Sequence, residues 1–215
     1  MTTIVVIAKE CLPGQVKTRL SPPFSPAEAA RLAAECLDDT LSTVASLPAS
    51  RRVLFFDGIR QPSAASRLGF DLLPQVGGGL DERLAHVFDV FTEPMLLVGM
   101  DTPQLCPADV AAALVSFAPG TVGGVDCWFG PAADGGFWAL GMREPRGDLV
   151  RGVPMSRDDT GARQRHRLVE AGLSVGTLPV LTDIDTVAEA SIVAATAPDS
   201  RFAREFRRLT VGRPA

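Results

Sequence analysis

The chain has no tyrosine, only two histidines (His86 and His166), and four cysteines (Cys11, Cys36, Cys106 and Cys127) with no CxxC pair among them. That pattern argues against a structural zinc site, and four scattered thiols do not make a disulfide framework, so reduced thiols are expected. No apolar run approaches the roughly 20 residues that a bilayer-spanning helix needs. The opening MTTIVVIAKE lacks a charged n-region and reads as a first strand rather than a signal peptide. Together these absences lead us to expect a cytoplasmic protein. A large charge of either sign is missing too. The net charge of −4 draws the molecule neither to nucleic acid nor to anionic lipid. Any phosphate site must therefore come from a few placed residues.

What is present is an ordinary globular composition, 46% hydrophobic and 21% charged, over 215 residues. That length suits one sizeable α/β domain, so residues 1–215 are expected to form a single domain. The stretch MLLVGMDTP at 95–103 organises the rest. Residues 95–99 have the length and bounds of a buried parallel strand, which puts Asp101 at the carboxyl end of a central strand. In open α/β sheets that edge binds ligands, because strand ends and helix starts splay apart there. Pro103 stops the strand. Alternatively, Asp101 caps the next helix.

Residues 3–8, TIVVIA, read as a strand covered on both faces. KECLPGQVKTRLSPP follows as the first βα connection. It is not a Walker loop, since only two residues separate Gly14 from Lys17, but the logic is similar. Gly14 lets backbone amides approach an anion, and Lys17, Thr18 and Arg19 supply charge and donors for phosphate oxygens. A solvated basic turn is the alternative. Ser25, Pro26 and Glu28 give a helix start with a capping box, and apolar residues at three- and four-residue spacing carry that helix to about residue 47. Strands are expected over 52–56 and within GFDLLPQ. Gly77-Gly78-Gly79 then opens a helix to about residue 91, with Arg83 one turn in, within reach of a ligand at the helix start. The glycines are either a platform for a flat ligand or a flexible turn.

Further on, a short helix is expected over 107–117 and a strand over 121–125. FGPAADGGFWALGM reads as a tight turn presenting Asp134 beside the bare backbone of Gly135 and Gly136, or as a plain hairpin turn. Val153-Pro154-Met155-Ser156 is placed at the start of a helix ending near Gly172, whose later arginines form a solvated face. A last strand over 175–181 is closed by TDIDT. If it persists, Asp183 and Asp185 face one side. Asp185 is equally suited to cap a helix from about 186.

Strands alternating with helices define an α/β protein, a three-layer α/β/α sandwich with a mainly parallel central sheet. Asp101, Asp134, Asp183 and Asp185 all fall at strand ends or turns. They are hard oxygen ligands suited to Mg²⁺ or Mn²⁺, beside a basic glycine-containing loop. A divalent ion near a phosphate loop suits transfer from a nucleotide.

The ordered motifs AKECLPGQVKTRL, GMDTPQL, GPAADGGFWALGM, VPMS and LPVLTDIDT resemble those of a poorly characterised family of glycosyltransferase-A-fold, nucleotide-diphospho-sugar transferase-like proteins associated with radical-SAM and selenodomain genes. The resemblance runs from the first strand to about residue 190. KTRL is also similar to guanylyltransferases acting on phospho-lactate-type substrates. The resemblance to the first family implies that Lys17 and Arg19 bind phosphates; by their places in the chain, Gly14, Thr18, Gly78 and Arg83 are the candidates to complete the nucleotide side. It also implies Asp101 as metal ligand, with Asp134 and Asp185 completing the site; Asp183 is expected to join Asp101 and Asp185 at the metal, with catalytic roles for Asp101, Asp134 and Lys17 and an acceptor beside Gly135, Gly136 and Ser156. Met155 departs from the tryptophan of that family's VPWS segment. The expected partners are a nucleotide or nucleotide-sugar donor and a small-molecule acceptor, with no nucleic acid and with a homodimer left open. Glycosyl transfer from an NDP-sugar, nucleotidyl transfer with release of pyrophosphate, and an inactive nucleotide-binding regulator all stay open.

Overall fold

Successive residues of the inner strands point to opposite faces, and here both faces are apolar. Ile4, Val6, Leu54, Leu96 and Val98 pack on one side, while Val5, Val53, Phe55, Met95 and Leu97 pack on the other. Such a sheet must be covered twice. The computed structural model describes residues 2–121 and 123–211. Its strands are β1 (Thr3–Lys9), β2 (Arg51–Asp57), β3 (Asp71–Pro74), β4 (Met95–Gly99), β5 (Cys127–Pro131), β6 (Phe137–Met142) and β7 (Val175–Thr177). They form one sheet in the order β3-β2-β1-β4-β6-β5-β7. β1 pairs parallel with β2 and β4, and β2 and β5 pair parallel with β3 and β7. β6 runs antiparallel to both its neighbours. The expected α/β/α sandwich with a mainly parallel sheet is what the chain adopts.

The helices are α1 (Pro26–Ser46), α2 (Ser63–Arg67), α3 (Leu80–Val90), α4 (Pro107–Ser116), α5 (Thr160–Glu170), α6 (Val187–Thr196) and α7 (Arg201–Thr210). α1 starts on the expected box: Ser25 accepts from the Glu28 N–H and Glu28 accepts from the Ser25 N–H. It is buried on two sides. Leu37, Leu41 and Val44 pack on the sheet, while Ala29, Leu32 and Cys36 pack against Phe202 and Phe206 of α7 and Val193 of α6. That second interface was not anticipated. The last helix expected from the sequence starts near residue 186, yet Ser200 caps a further one, α7, by accepting from Ala203 N–H. α2, between the strands expected at 52–56 and within GFDLLPQ, was not anticipated either.

Other expectations need correction. The strand placed at 121–125 is a turn, with Gly123 at φ 69, and the strand starts at Cys127; Val122 lies outside the described residues. A side chain at Gly124 would collide with the Arg143 guanidinium, which donates to Ser116 and Val125 carbonyls. The strand expected over 175–181 ends at Thr177, because Pro179 has no N–H to continue the ladder. Contact with β5 resumes where Leu181 N–H donates to the Pro131 carbonyl at 3.2 Å, beside the isolated Leu181–Ala132 bridge. Val153 to Ser156 precede α5 as a loop rather than opening it. All four cysteines are free thiols.

Candidate active site

At the carboxyl edge of β1, β2 and β4 lies a cleft of about 770 Å³, lined by Lys9, Asp57, Gln75 and Arg83 on one flank and by Arg19, Asp101, Asp134, Asp183 and Asp185 on the other. Its position is the one expected from strand ends that splay at the sheet edge. β4 ends at Gly99 and delivers Asp101, as the sequence suggests. Asp101 does not cap the next helix. That position belongs to Cys106, whose N–H is taken by Asp109 Oδ2 at 2.8 Å.

The irregular segment after β7 is stitched across this edge. Leu181 accepts from Ala133 N–H at 2.9 Å, the Thr182 carbonyl accepts from Gln104 Nε2 at 2.6 Å, and Ile184 N–H donates to the Asp101 carbonyl at 3.2 Å. These bonds, not a continuing strand, bring Asp183 and Asp185 to Asp101 and Asp134. Thr186 is the cap of α6, and Glu189 Oε2 takes the N–H groups of Asp185 and Thr186. The Asp185 carboxylate is thereby left for other partners.

Its partner is Lys17. The Lys17 ammonium lies 2.8 Å from Asp101 Oδ2 and 2.9 Å from Asp185 Oδ1, and the side chain is only 7% exposed. Burial disfavours this charge, but the two carboxylates overcome it and raise the pKa of Lys17 above that of a free lysine. In return, Lys17 holds Asp185 below the usual carboxylate range despite its partial burial. Lys17 also has a left-handed backbone, φ 48, uncommon for a residue with a side chain. Arg19 is mostly exposed and reaches Asp185 Oδ2 at 3.3 Å. Gly14, at φ 76, and Thr18 lie in the same exposed loop without lining the cleft.

Asp183 is different. Burial first, then the negative charges of Asp134 and Asp185, push its pKa up to about 6. Asp134 fills both roles the sequence offered, since its Oδ1 accepts from Gly136 N–H at 2.8 Å in the turn while the residue lines the cleft. Gly136 and Ser156, the latter at φ 58, line the same wall. Gly135 packs behind it, its α-carbon against the Asp158 carbonyl. On the other flank Arg83 Nη1 donates to Asp57 and to Gln75, and Arg83 Nε donates to the Gly78 carbonyl at 3.2 Å. Gly78 holds that arginine from the rim at φ 105.

Asp57 and Gln75 went unnoticed in the sequence. Asp57 ends β2 as Asp101 follows β4, so the same strand-end argument would have found it. Gln75 follows the end of β3, so the same argument reaches it too; its amide donates to the carbonyls of Ala8 and Phe55, bracing β1 against β2.

For a divalent ion the donor chemistry is suitable and the charge is in place: hard carboxylate oxygens crowd together, and Asp101 Oδ1 is buried with no hydrogen-bond partner among the described residues. Among the described residues, however, no three Asp, Glu, His or Cys side chains are yet arranged to hold one.

Residues 40–157, more than half of the chain, match a family of uncharacterized proteins conserved in bacteria, DUF2064, and the chain belongs to it. No curated protein is matched by sequence. A proposed nucleotide-diphospho-sugar transferase from Desulfovibrio desulfuricans G20 is 27% identical, with 97% of this chain and 93% of that one covered and a TM-score of 0.79. A nucleotidyl transferase from Methanothermobacter shares the fold at 14% identity, covering 92% and 98%, with a TM-score of 0.60. Glucosyl-3-phosphoglycerate synthase from Mycobacterium tuberculosis, solved with Mn²⁺, UDP and glucosyl-3-phosphoglycerate, does so at 10% identity, covering 92% and 79%, with a TM-score of 0.52.

Proposed function

We propose that residues 1–215 form a single-domain transferase that takes a nucleotide donor in this cleft and moves a glycosyl group from an NDP-sugar to a small acceptor. One observation carries it: a cleft at the carboxyl edge of a mainly parallel sheet, with four aspartates facing a loop that bears Lys17 and Arg19. The Desulfovibrio relative and the Mycobacterium glucosyl-3-phosphoglycerate synthase, solved with UDP and Mn²⁺, support it. In this proposal Arg19 and Arg83 face the donor's phosphates, Asp101, Asp183 and Asp185 hold Mg²⁺ or Mn²⁺, and Asp134 stands at the acceptor wall with Gly136 and Ser156. The ion, when bound, neutralises charge on the departing diphosphate. Asp134 orients the acceptor and draws its proton. The narrower kinship with radical-SAM and selenodomain-associated transferases and a cytoplasmic location belong to the same proposal. Among the described residues no helix is long and apolar enough to cross a membrane.

Nucleotidyl transfer is the second proposal. It is favoured by the countercharge at the mouth, where Lys9, Arg19 and Arg83 all line the cleft and would suit a triphosphate. A thermal-shift panel of NTPs and NDP-sugars, with and without Mn²⁺, tests both. A donor at a hundred times its Kd should add about 2.7 kcal/mol to the unfolding free energy. An NDP-sugar as the strongest stabiliser supports glycosyl transfer and an NTP supports nucleotidyl transfer. If no nucleotide shifts the transition, the protein does not use a nucleotide donor.

A further inference from the structure

Asp101 and Asp185 have four carboxylate oxygens between them, and three are already engaged by cationic side chains. Lys17 holds Asp101 Oδ2 and Asp185 Oδ1, and Arg19 holds Asp185 Oδ2. The fourth, Asp101 Oδ1, is buried. A divalent ion binding these carboxylates would meet the Lys17 ammonium about one hydrogen-bond length away. Two cations at that separation repel strongly even in a polarisable site, so ion and ammonium cannot share the same oxygens.

The loop bearing Lys17 has little freedom to retreat. Val16 and Leu20 on either side are buried, and Leu20 N–H donates to the Lys17 carbonyl at 3.0 Å. The side chain can turn while the backbone stays. What it needs in exchange for two carboxylates is another anion, because a buried ammonium without one is costly. Phosphate oxygens arriving at the cleft supply that anion.

Resting on the donor-site proposal, we infer that Lys17 is a cation latch. In the nucleotide-free protein its ammonium takes the charge position of the divalent ion at Asp101 and Asp185, and the ion is admitted only when donor phosphates take the ammonium over. Donor and metal then enter together. Metal alone does not load the site.

The test is Mn²⁺ binding to the full chain without nucleotide, read by the loss of the free-ion electron paramagnetic resonance signal. Lys17→Met should bind Mn²⁺ at least about tenfold more tightly than the wild type, since one nearby positive charge has gone. The gain should vanish in Lys17→Met combined with Asp101→Asn, which locates it. Equal Mn²⁺ affinity in wild type and Lys17→Met overturns the latch, as does a gain that survives Asp101→Asn. Should circular dichroism show Lys17→Met unfolded, Lys17→Gln, which is neutral but keeps a donor, is read by the same criterion. The donor proposal is read separately from nucleotide thermal shifts on the wild type. Nucleotide stabilisation with no Mn²⁺ gain in the variant overturns the latch and leaves the donor site standing. A Mn²⁺ gain with no nucleotide shift leaves Lys17 as the excluding cation but overturns phosphate as what releases it.

Discussion

Arg83 Nη1 lies 2.6 Å from Asp57 Oδ2, so a residue in the first turn of α3 is tied to the end of β2 along one flank of the cleft. The same nitrogen reaches Gln75 Oε1 at 3.2 Å, and Gln75 in turn bonds the carbonyls of Ala8 and Phe55. Three strand ends and a helix start are held by one connected set of polar side chains. The guanidinium is thereby positioned before any ligand arrives.

Arg83→Ala should weaken nucleotide binding by roughly 1.5–3 kcal/mol, the range for a hydrogen bond to a charged group. Folding stability should fall by less than about 1 kcal/mol, because the Asp57 pair is partly solvated. Calorimetric titration with the best donor from the thermal-shift panel decides it, and unchanged affinity would reduce Arg83 to a brace of the cleft wall.

Asp101→Asn should lower stability at neutral pH by about 2 kcal/mol, since it takes one of two counter-charges from a buried ammonium. The sequence alone points the other way, because Asp101 then counts only as one more carboxylate near Asp134 and Asp185. Lys17 reverses the sign. Urea unfolding at pH 7 measures the change, and an unshifted midpoint would show that Asp185 alone satisfies Lys17.

Asp183 gives a pH signature. Its pKa is about 6 in the folded protein against 3.8 ordinarily, so between those values the native state binds the extra proton and stability falls as pH rises. Below pH 3.8 the group contributes nothing to that fall, and above about 6 the whole penalty is present. Asp183→Asn should therefore match the wild type near pH 3.5 and exceed it at pH 7.5. After allowing for solvent screening at a partly exposed group, the excess is about 1–2 kcal/mol. Paired urea titrations at the two pH values check it, and equal stability at pH 7.5 would contradict the crowding of carboxylates described above.

Gly135→Ala should destabilise the protein by about 3 kcal/mol, combining a left-handed backbone with overpacking. At φ 91 an added Cβ would overlap the Asp158 carbonyl oxygen. A loss under 1 kcal/mol in chemical denaturation would mean that the turn and the 155–159 segment can separate.

The sheet was legible because its strands are short apolar runs with clear ends, and residues 95–99 appear as β4 with the anticipated bounds. The capping box at Ser25 made one helix start legible in the same way, whereas the helix start near residue 186 was placed with Asp185 as its cap and is capped by Thr186 instead. Local signals failed where distant contacts decide. β5 includes a glycine and a proline that read as turn residues, yet they pair with β6 and with the segment after β7. α7 is held by α1 and α6, which no local pattern announces. In the site, the aspartates could be placed at strand ends, but the ion pairs of Lys17 with Asp101 and Asp185 join residues 84 and 168 positions apart in the chain. Spacing carries no trace of such a contact.

The contact of Gly135 with Asp158 has a mechanical side. Gly161 N–H donates to the Gly135 carbonyl at 2.8 Å, and a side chain at Gly161 would strike the Gly136 carbonyl. The turn that carries Asp134 and the segment that carries Ser156 thus meet main chain to main chain, with no compressible side chain between them. They act as two arms of one rigid lever: whatever shifts Ser156 at one end of the wall must shift Asp134 at the other.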